Sequence, residues 1–191
     1  NGYFWAALRN SAFYKLPLVM VIQNNGWQVG NPTENTIPLK DEAVAAKGMD
    51  VPGYVVDGND VLAVYAVAKR AIDRARAGEG PTLIEAKTNR FYDHAGMAGA
   101  KPGVLGAFGL PYRNDRDVAK WIADDPLGRF RRQLIGLGVH TEQSADDLEN
   151  NIKAQVDVAI NEARDAPFPK EDAALEHVYA EGRVEATQFY A

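Results

Sequence analysis

Leu16-Pro17-Leu18-Val19-Met20-Val21-Ile22-Gln23-Asn24-Asn25-Gly26-Trp27 is the stretch on which the reading of this 191-residue chain turns. Its apolar run, Leu18 to Ile22, follows Pro17 and ends shortly before two amides, Asn24 and Asn25. A short, unbroken apolar run of this kind predicts a strand buried on both faces, as in a parallel sheet. Open parallel sheets bind ligands beyond the carboxyl ends of their strands. The amide pair falls at that end, and an amide offers a neutral oxygen that a hard cation such as Mg²⁺ accepts. Asn25-Gly26 is also a tight-turn dipeptide, because both residues tolerate positive φ. These residues alone leave both readings open.

On the amino-terminal side, Tyr3 to Tyr14 reads as a helix with Phe4, Ala7, Leu8 and Ala12 on one face. On the other side, Gly30 to Pro38 reads as a loop, and Lys40 to Lys47 as a short helix that Gly48 ends in a left-handed cap. Tyr54 to Val56 is a short strand, and Asp57-Gly58-Asn59-Asp60 turns into a helix capped by Asn59 or Asp60. That helix, Val61 to Ala77, is expected to bury Val61, Leu62, Val64, Tyr65, Ala68 and Ile72. Gly78, Gly80 and Pro81 end it. Thr82 to Thr88 then alternates as a strand, Leu83, Glu85 and Lys87 on one face, Thr82, Ile84 and Ala86 on the other. Helices alternating with strands predict an α/β fold with a doubly wound parallel sheet. Right-handed crossovers bring the strand ends to one edge.

Asn89 to Leu110 forms a long loop holding Gly96, Gly99, Gly103, Gly106 and Gly109. A loop of that length in a compact domain is usually functional or disordered. Helices follow over Asp117 to Ala123, from Asp125 with Pro126 in its first turn, and over Ser144 to Asp165. The last carries Leu148, Ile152, Val156, Ala159 and Ala163 at helical spacing before Pro167 and Pro169 end it. The expected division is therefore 1–113, an α/β domain with the loop, and 114–191, a C-terminal helical extension and tail.

At 46% hydrophobic residues the chain has enough apolar side chains for a substantial core. A domain of this size buries roughly 70% of its unfolded surface. The net charge of −5 is spread over interleaved acids and bases, which excludes a basic patch for nucleic acid. No apolar run nears the ~18 residues that suggest a membrane span. With no cysteine, disulfide and thiolate chemistry are excluded, and a cytoplasmic protein is expected.

The order of motifs resembles the alpha subunit of thiamine diphosphate-dependent 2-oxo acid dehydrogenases of the pyruvate and branched-chain type. The resemblance runs through Gly2-Tyr-Phe-Trp-Ala-Ala-Leu8, Leu16-Pro17, Gln23 to Trp27, Val56 to Asp60 and Gly80 to Glu85. It continues through Arg90 to His94, Tyr112-Arg113, Asp125-Pro126 and Val178 to Glu181, nearly the whole chain. In that family a Gly-Asp-Gly motif supplies a metal-binding Asp ahead of the amide pair. By the family's spacing it would precede Asn1, so the chain is expected to be the C-terminal half of a longer subunit.

The resemblance implies two cofactors, thiamine diphosphate and Mg²⁺. It makes the Asn25 side chain and the Trp27 backbone carbonyl metal ligands, with Asn24 shaping the turn. It makes His94 the catalytic residue, beside the diphosphate and the reacting carbon, and gives Arg90 the task of ordering the cofactor loop. Arg113 matches a family position that helps fix the same loop, with a surface Arg an equal alternative. His140 and His177 have no partner pattern, and Asp57 matches a position that helps at a subunit contact. A beta subunit, which carries the catalytic Glu, and a lipoyl-bearing acyltransferase are the implied partners, in a two-alpha, two-beta assembly.

Two departures stand out. Ala95 replaces a Ser that is a regulatory phosphorylation point in some members, and Met97 to Leu110 is longer and richer in Gly and apolar residues than the family loop. The altered loop leaves open an acetoin- or diketone-cleaving enzyme of the same architecture. A non-catalytic α/β interaction module, with Asn24 to Gly26 as a simple turn, is the reading from a different class.

Overall fold

The computed structural model describes residues 2–92, 94 and 114–176. It separates into two units, Asn1–Val139 and His140–Ala191. The expectations for Ala95, the glycines at 96, 99, 103, 106 and 109, Tyr112, Arg113, His177 and the segment 178–191 lie outside the described residues.

In the first unit, α1 (Gly2–Phe13) leads into β1 (Val19–Asn24) and a two-strand ribbon of β2 (Trp27–Gln28) and β3 (Asn31–Pro32). A 3₁₀ segment, Glu42–Met49, precedes β4 (Gly53–Asp57), α2 (Val61–Arg76) and β5 (Thr82–Lys87); α3 (Asp115–Ala123) and α4 (Pro126–Gly136) close the unit. The main sheet has the order β1-β5-β4, and both pairings are parallel. Asn24 and Asp57 each pair with Lys87, so the three strands end at one level.

The alternation read in β5 holds. Leu83 packs with Leu8, Ala46 and Val51 on one face, flanked by Phe4, Trp5 and Ala12. Ile84 packs with Val56 and Ala71 on the other, flanked by Val64 and Val67. Helical cover on both faces of a parallel sheet makes this an α/β fold. In α1 the buried face uses Trp5 where Ala7 was expected; Ala7 is exposed.

Four further expectations are corrected. Among the described residues β1 lies at an edge of the sheet, and Val21 is 61% exposed, so one face of β1 is open; the doubly buried strand is β5. In α2 the helix turns Ala71 and Ala75 to the core, with Val64 beside them as expected, and leaves Val61, Leu62, Tyr65 and Ile72 exposed. Small side chains let the helix approach the sheet closely, and close packing decides the buried face more than residue size does. The segment after Lys40 is 3₁₀ and ends at Asp50, not Gly48. Asp50 takes the left-handed position at φ 56°, its N–H bonded to Ala46 O and Lys47 O. Within Gly30 to Pro38, expected as loop throughout, the ribbon strand β3 and a 3₁₀ turn at Thr33–Asn35 form.

In the second unit α5 (Glu142–Asp165) starts two residues before the expected Ser144, because Thr141 and Ser144 form a reciprocal capping box. His140 is half-buried, its Nδ1 3.0 Å from Ser144 Oγ. Among the described residues no helix is long and apolar enough to cross a membrane.

Gly53 sits where the 3₁₀ segment crosses the start of β4, and a Cβ there would overlap the Ala43 carbonyl oxygen. Gly48 has open space around it. Gly53→Ala is expected to lower unfolding stability by about 1–3 kcal/mol through overpacking. Gly48→Ala should not lower it, and urea denaturation of the two variants provides the comparison.

Candidate functional site

The amide pair stands at the carboxyl edge of the parallel sheet. Asn24 is the last residue of β1, and its carbonyl accepts the Thr88 N–H at 2.9 Å, extending the pairing with β5 past the strand. Its side chain faces both ways along the edge: Nδ2 donates to Glu85 Oε1 at 2.7 Å, and Oδ1 accepts the Gly26 N–H at 3.0 Å. Asn25 Oδ1 accepts the Trp27 N–H at 3.1 Å. Gly26, at φ 79°, supplies the left-handed step between them. The turn reading of Asn25-Gly26 and the ligand reading are therefore compatible. An amide oxygen has two lone pairs, and one N–H bond leaves the second for another partner.

Asn24 thus shapes the turn, as expected of it. Asn25 and Trp27 are brought together at the sheet edge, each half-buried. A cavity of about 350 Å³ beside them is lined by Ile22, Asn24, Asn25, Trp27, Thr36 and Glu42. A second, of about 510 Å³, lies across the turn against Gly26, Trp27, Lys40, Lys87 and Thr88. Burial, and then the like charge of Glu85, pushes the Glu42 carboxyl above its ordinary range.

The Arg90 guanidinium donates to the Val29 carbonyl at 2.6 Å, a backbone partner of the kind the sequence reading named. Val29 has φ 58°, a conformation rare for a β-branched residue, and that bond holds the ribbon's tip in place. Arg90 therefore ties the segment leading to His94 to the ribbon that follows Asn25. His94 itself is exposed, and among the described residues it makes no hydrogen bond to the turn.

Sequence reasoning missed two charge clusters at this edge. In one, Lys87 Nζ lies 2.5 Å from Glu85 Oε1 and 3.2 Å from Asp41 Oδ1, and donates to the Lys40 carbonyl at 3.0 Å. Glu85 is fully buried, and Oε2 accepts the Ala43 N–H at 2.9 Å. Desolvation alone would raise its carboxyl, but the bonds from Lys87, Ala43 and Asn24 outweigh that and hold it below the usual range. In the other, Arg129 on α4 meets Asp57 Oδ2 and Asp60 Oδ2, each at 2.7 Å. Asp60, not Asn59, caps α2 by accepting the Ala63 N–H. Asn59 is buried instead between Thr88 Oγ1 and Asp124 Oδ2. The signal available in the sequence was Glu85 itself, a carboxylate among the apolar residues of a central strand.

Among the described residues no group of three or more His, Cys, Asp or Glu forms a metal cage. A cation at the amide turn would meet the neutral oxygens of Asn25 and Trp27, with the Glu42 carboxyl lining the same cavity, and would share its shell with the oxygens of a bound molecule. That donor chemistry suits Mg²⁺, which prefers oxygen and shares its shell with phosphates.

The profile described as "Dehydrogenase E1 component" matches residues 1–172. The chain is 30% identical over 181 residues to "Pyruvate dehydrogenase E1 component subunit alpha" of Porphyra purpurea, an alignment covering 95% of the chain and 50% of that relative. It is 39% identical over 163 residues to the protein of the same name in Staphylococcus aureus, covering 85% and 42%. To "Pyruvate dehydrogenase E1 component subunit alpha-3, chloroplastic" of Arabidopsis thaliana it is 37% identical over 183 residues, covering 95% and 40%. The chain thus spans half or less of each relative's length.

For Asp57, desolvation raises the carboxyl, but the Arg129 and Asn59 bonds and the Arg129 charge bring it below its ordinary value. A depressed folded-state pKa adds stability above the unfolded value, about 3.9, that is lost as pH falls through the folded one. The stability gap between wild type and Asp57→Asn should therefore narrow below about pH 4, as followed by denaturant unfolding across pH.

Proposed function

The chain belongs to the dehydrogenase E1 component family, and we propose that it works as the alpha component of a thiamine diphosphate-dependent 2-oxo acid dehydrogenase. The single observation that carries this is the Asn24-Asn25-Gly26-Trp27 turn at the carboxyl end of parallel strand β1. On this reading the sheet, with helices on both faces, is part of a doubly wound thiamine diphosphate-binding fold. Asn25 Oδ1 and the Trp27 carbonyl would hold Mg²⁺, and the metal would supply positive charge for the cofactor's diphosphate. Both oxygens are neutral, so the anionic charge at the metal would come chiefly from the diphosphate.

When bound, thiamine diphosphate supplies the carbanion that adds to the 2-oxo carbon and allows CO₂ to leave. The chain's own residues bind and orient. Arg90 keeps the ribbon tip fixed through the Val29 carbonyl, which supports the position of Trp27 at the ribbon's base. His94, carried on the same segment, donates to anionic oxygen or moves a proton during acyl transfer. A beta subunit completes the site in a two-alpha, two-beta assembly, and a lipoyl-bearing acyltransferase receives the acyl group. The names carried by the relatives support pyruvate as the first substrate to test.

Calorimetric titration of Mg²⁺ and thiamine diphosphate into the full alpha–beta complex tests the reading. Saturable binding is expected, weakened at least tenfold by Asn25→Ala, about 1.4 kcal/mol. His94→Ala should bind with near wild-type affinity and lose about 10²-fold or more in kcat. Absent binding, or an Asn25→Ala complex that binds like wild type, would leave only the interaction-module reading. Decarboxylation assayed over pyruvate, branched-chain 2-oxo acids and acetoin identifies the substrate; activity on acetoin alone would overturn the dehydrogenase assignment.

A further inference from the structure

We propose that Glu85 is a positioning residue for the amide turn: it fixes the Asn24 side chain and so sets the path that aims the Asn25 oxygen. The inference rests on the reading of Asn25 as a magnesium ligand and extends it to a residue that never touches the metal.

Glu85 lies on the central strand with no solvent exposure, opposite Ile22 in the β1–β5 register. Oε1 receives Asn24 Nδ2 at 2.7 Å and Lys87 Nζ at 2.5 Å, and Oε2 receives the Ala43 N–H at 2.9 Å. Three donors converge on two oxygens, so the group serves only as an acceptor. That fixes the Asn24 amide. With Nδ2 held by the carboxylate, Oδ1 must face the Gly26 N–H, where it is found at 3.0 Å. Turned the other way, the amide would set its own N–H groups against that of Gly26.

The next step along the chain repeats the pattern. Asn25 Oδ1 accepts the Trp27 N–H, so successive backbone N–H groups close on successive amide oxygens. The Asn25 oxygen is aimed only while this backbone path holds, and Asn24 is its tether to the sheet. A buried carboxylate is costly unless all its bonds are made, and breaking one partner leaves a charge uncompensated. Here the bonds are made by residues from β1, β5 and the 3₁₀ segment, which fixes the turn relative to the sheet rather than relative to its own loop. Residues that orient a metal's ligands in this manner typically change affinity by 10–100-fold when replaced.

Glu85→Gln keeps the shape but must present an N–H to one of the three donors. In the full alpha–beta complex it should raise the calorimetric Kd for Mg²⁺ and thiamine diphosphate by roughly 10–100-fold. Asn24→Asp in the Glu85→Gln background restores a donor–acceptor pair and should recover part of the loss, which a general weakening of the fold would not. Where Glu85→Gln fails to assemble, Asn24→Ala breaks the same tether from the turn side and should raise Kd in the same direction. The cofactor-free unfolding midpoint is measured for each. A Kd at the wild-type value in assembled Glu85→Gln or Asn24→Ala, with Asn25→Ala still impaired, overturns this inference and leaves the proposed function standing. Loss of binding in no variant, or no binding by wild type, overturns both.

Discussion

The register of β5 between β1 and β4 is the constraint on which the carboxyl edge depends. It sets Asn24, Lys87 and Asp57 at one level. It also turns Glu85 and Lys87 toward the face that carries α1 and the 3₁₀ segment, where Asn24, Ala43 and Asp41 meet them. A slip of one residue would carry every β5 side chain to the opposite face. Glu85 would then enter the apolar cluster of Val56, Ala71 and Ile84, where no such donors converge. The polar network and the two apolar clusters are in this sense one specification: each is satisfied only in the pairing that satisfies the others.

Charge at this edge is arranged to fasten loops. Lys87 reaches Glu85, Asp41 and the Lys40 carbonyl, bringing the segment before the 3₁₀ helix down onto β5. Burial disfavours its ammonium, yet those acceptors outweigh burial and hold its pKa above the ordinary range. Arg129 spans Asp57, Asp60 and Asp124, fastening α4 to the start of α2. Gly58 brings its N–H onto the Lys87 carbonyl at 2.6 Å, and a Cβ there would crowd that carbonyl. Surface pairs of this kind add little individually. Joined through shared partners, they give the turn after β4 one arrangement.

Much of this was legible in the chain, and the reasons for the rest are physical. The strand ending in amides, strands β4 and β5, the capping of α2 and the Pro126 start of α4 rest on local chemistry, and local chemistry is what sequence displays. Burial is collective. The edge position of β1 and the alanine face of α2 depend on which elements lie alongside, so large apolar residues were mistaken for the buried ones. The Asn24–Glu85 bond joins residues 61 apart, and the Arg129–Asp57 pair joins residues 72 apart. Neither spacing carries a period or motif. Family resemblance supplied roles for Asn25, Trp27, Arg90 and His94; it ran through Glu85 without giving it one, and the contacts of Glu85 emerge only once the strands are side by side.

Asp60 is a single side chain with two employers. Its Oδ1 caps α2 through the Ala63 N–H, while Oδ2 holds Arg129 of α4. Serine, threonine or asparagine would serve the helix end as well, but none would answer the guanidinium with charge. Glutamate would keep the charge and, with its longer stem, forfeit the cap. Tolerance to replacement at this position is therefore narrower than either duty alone would impose.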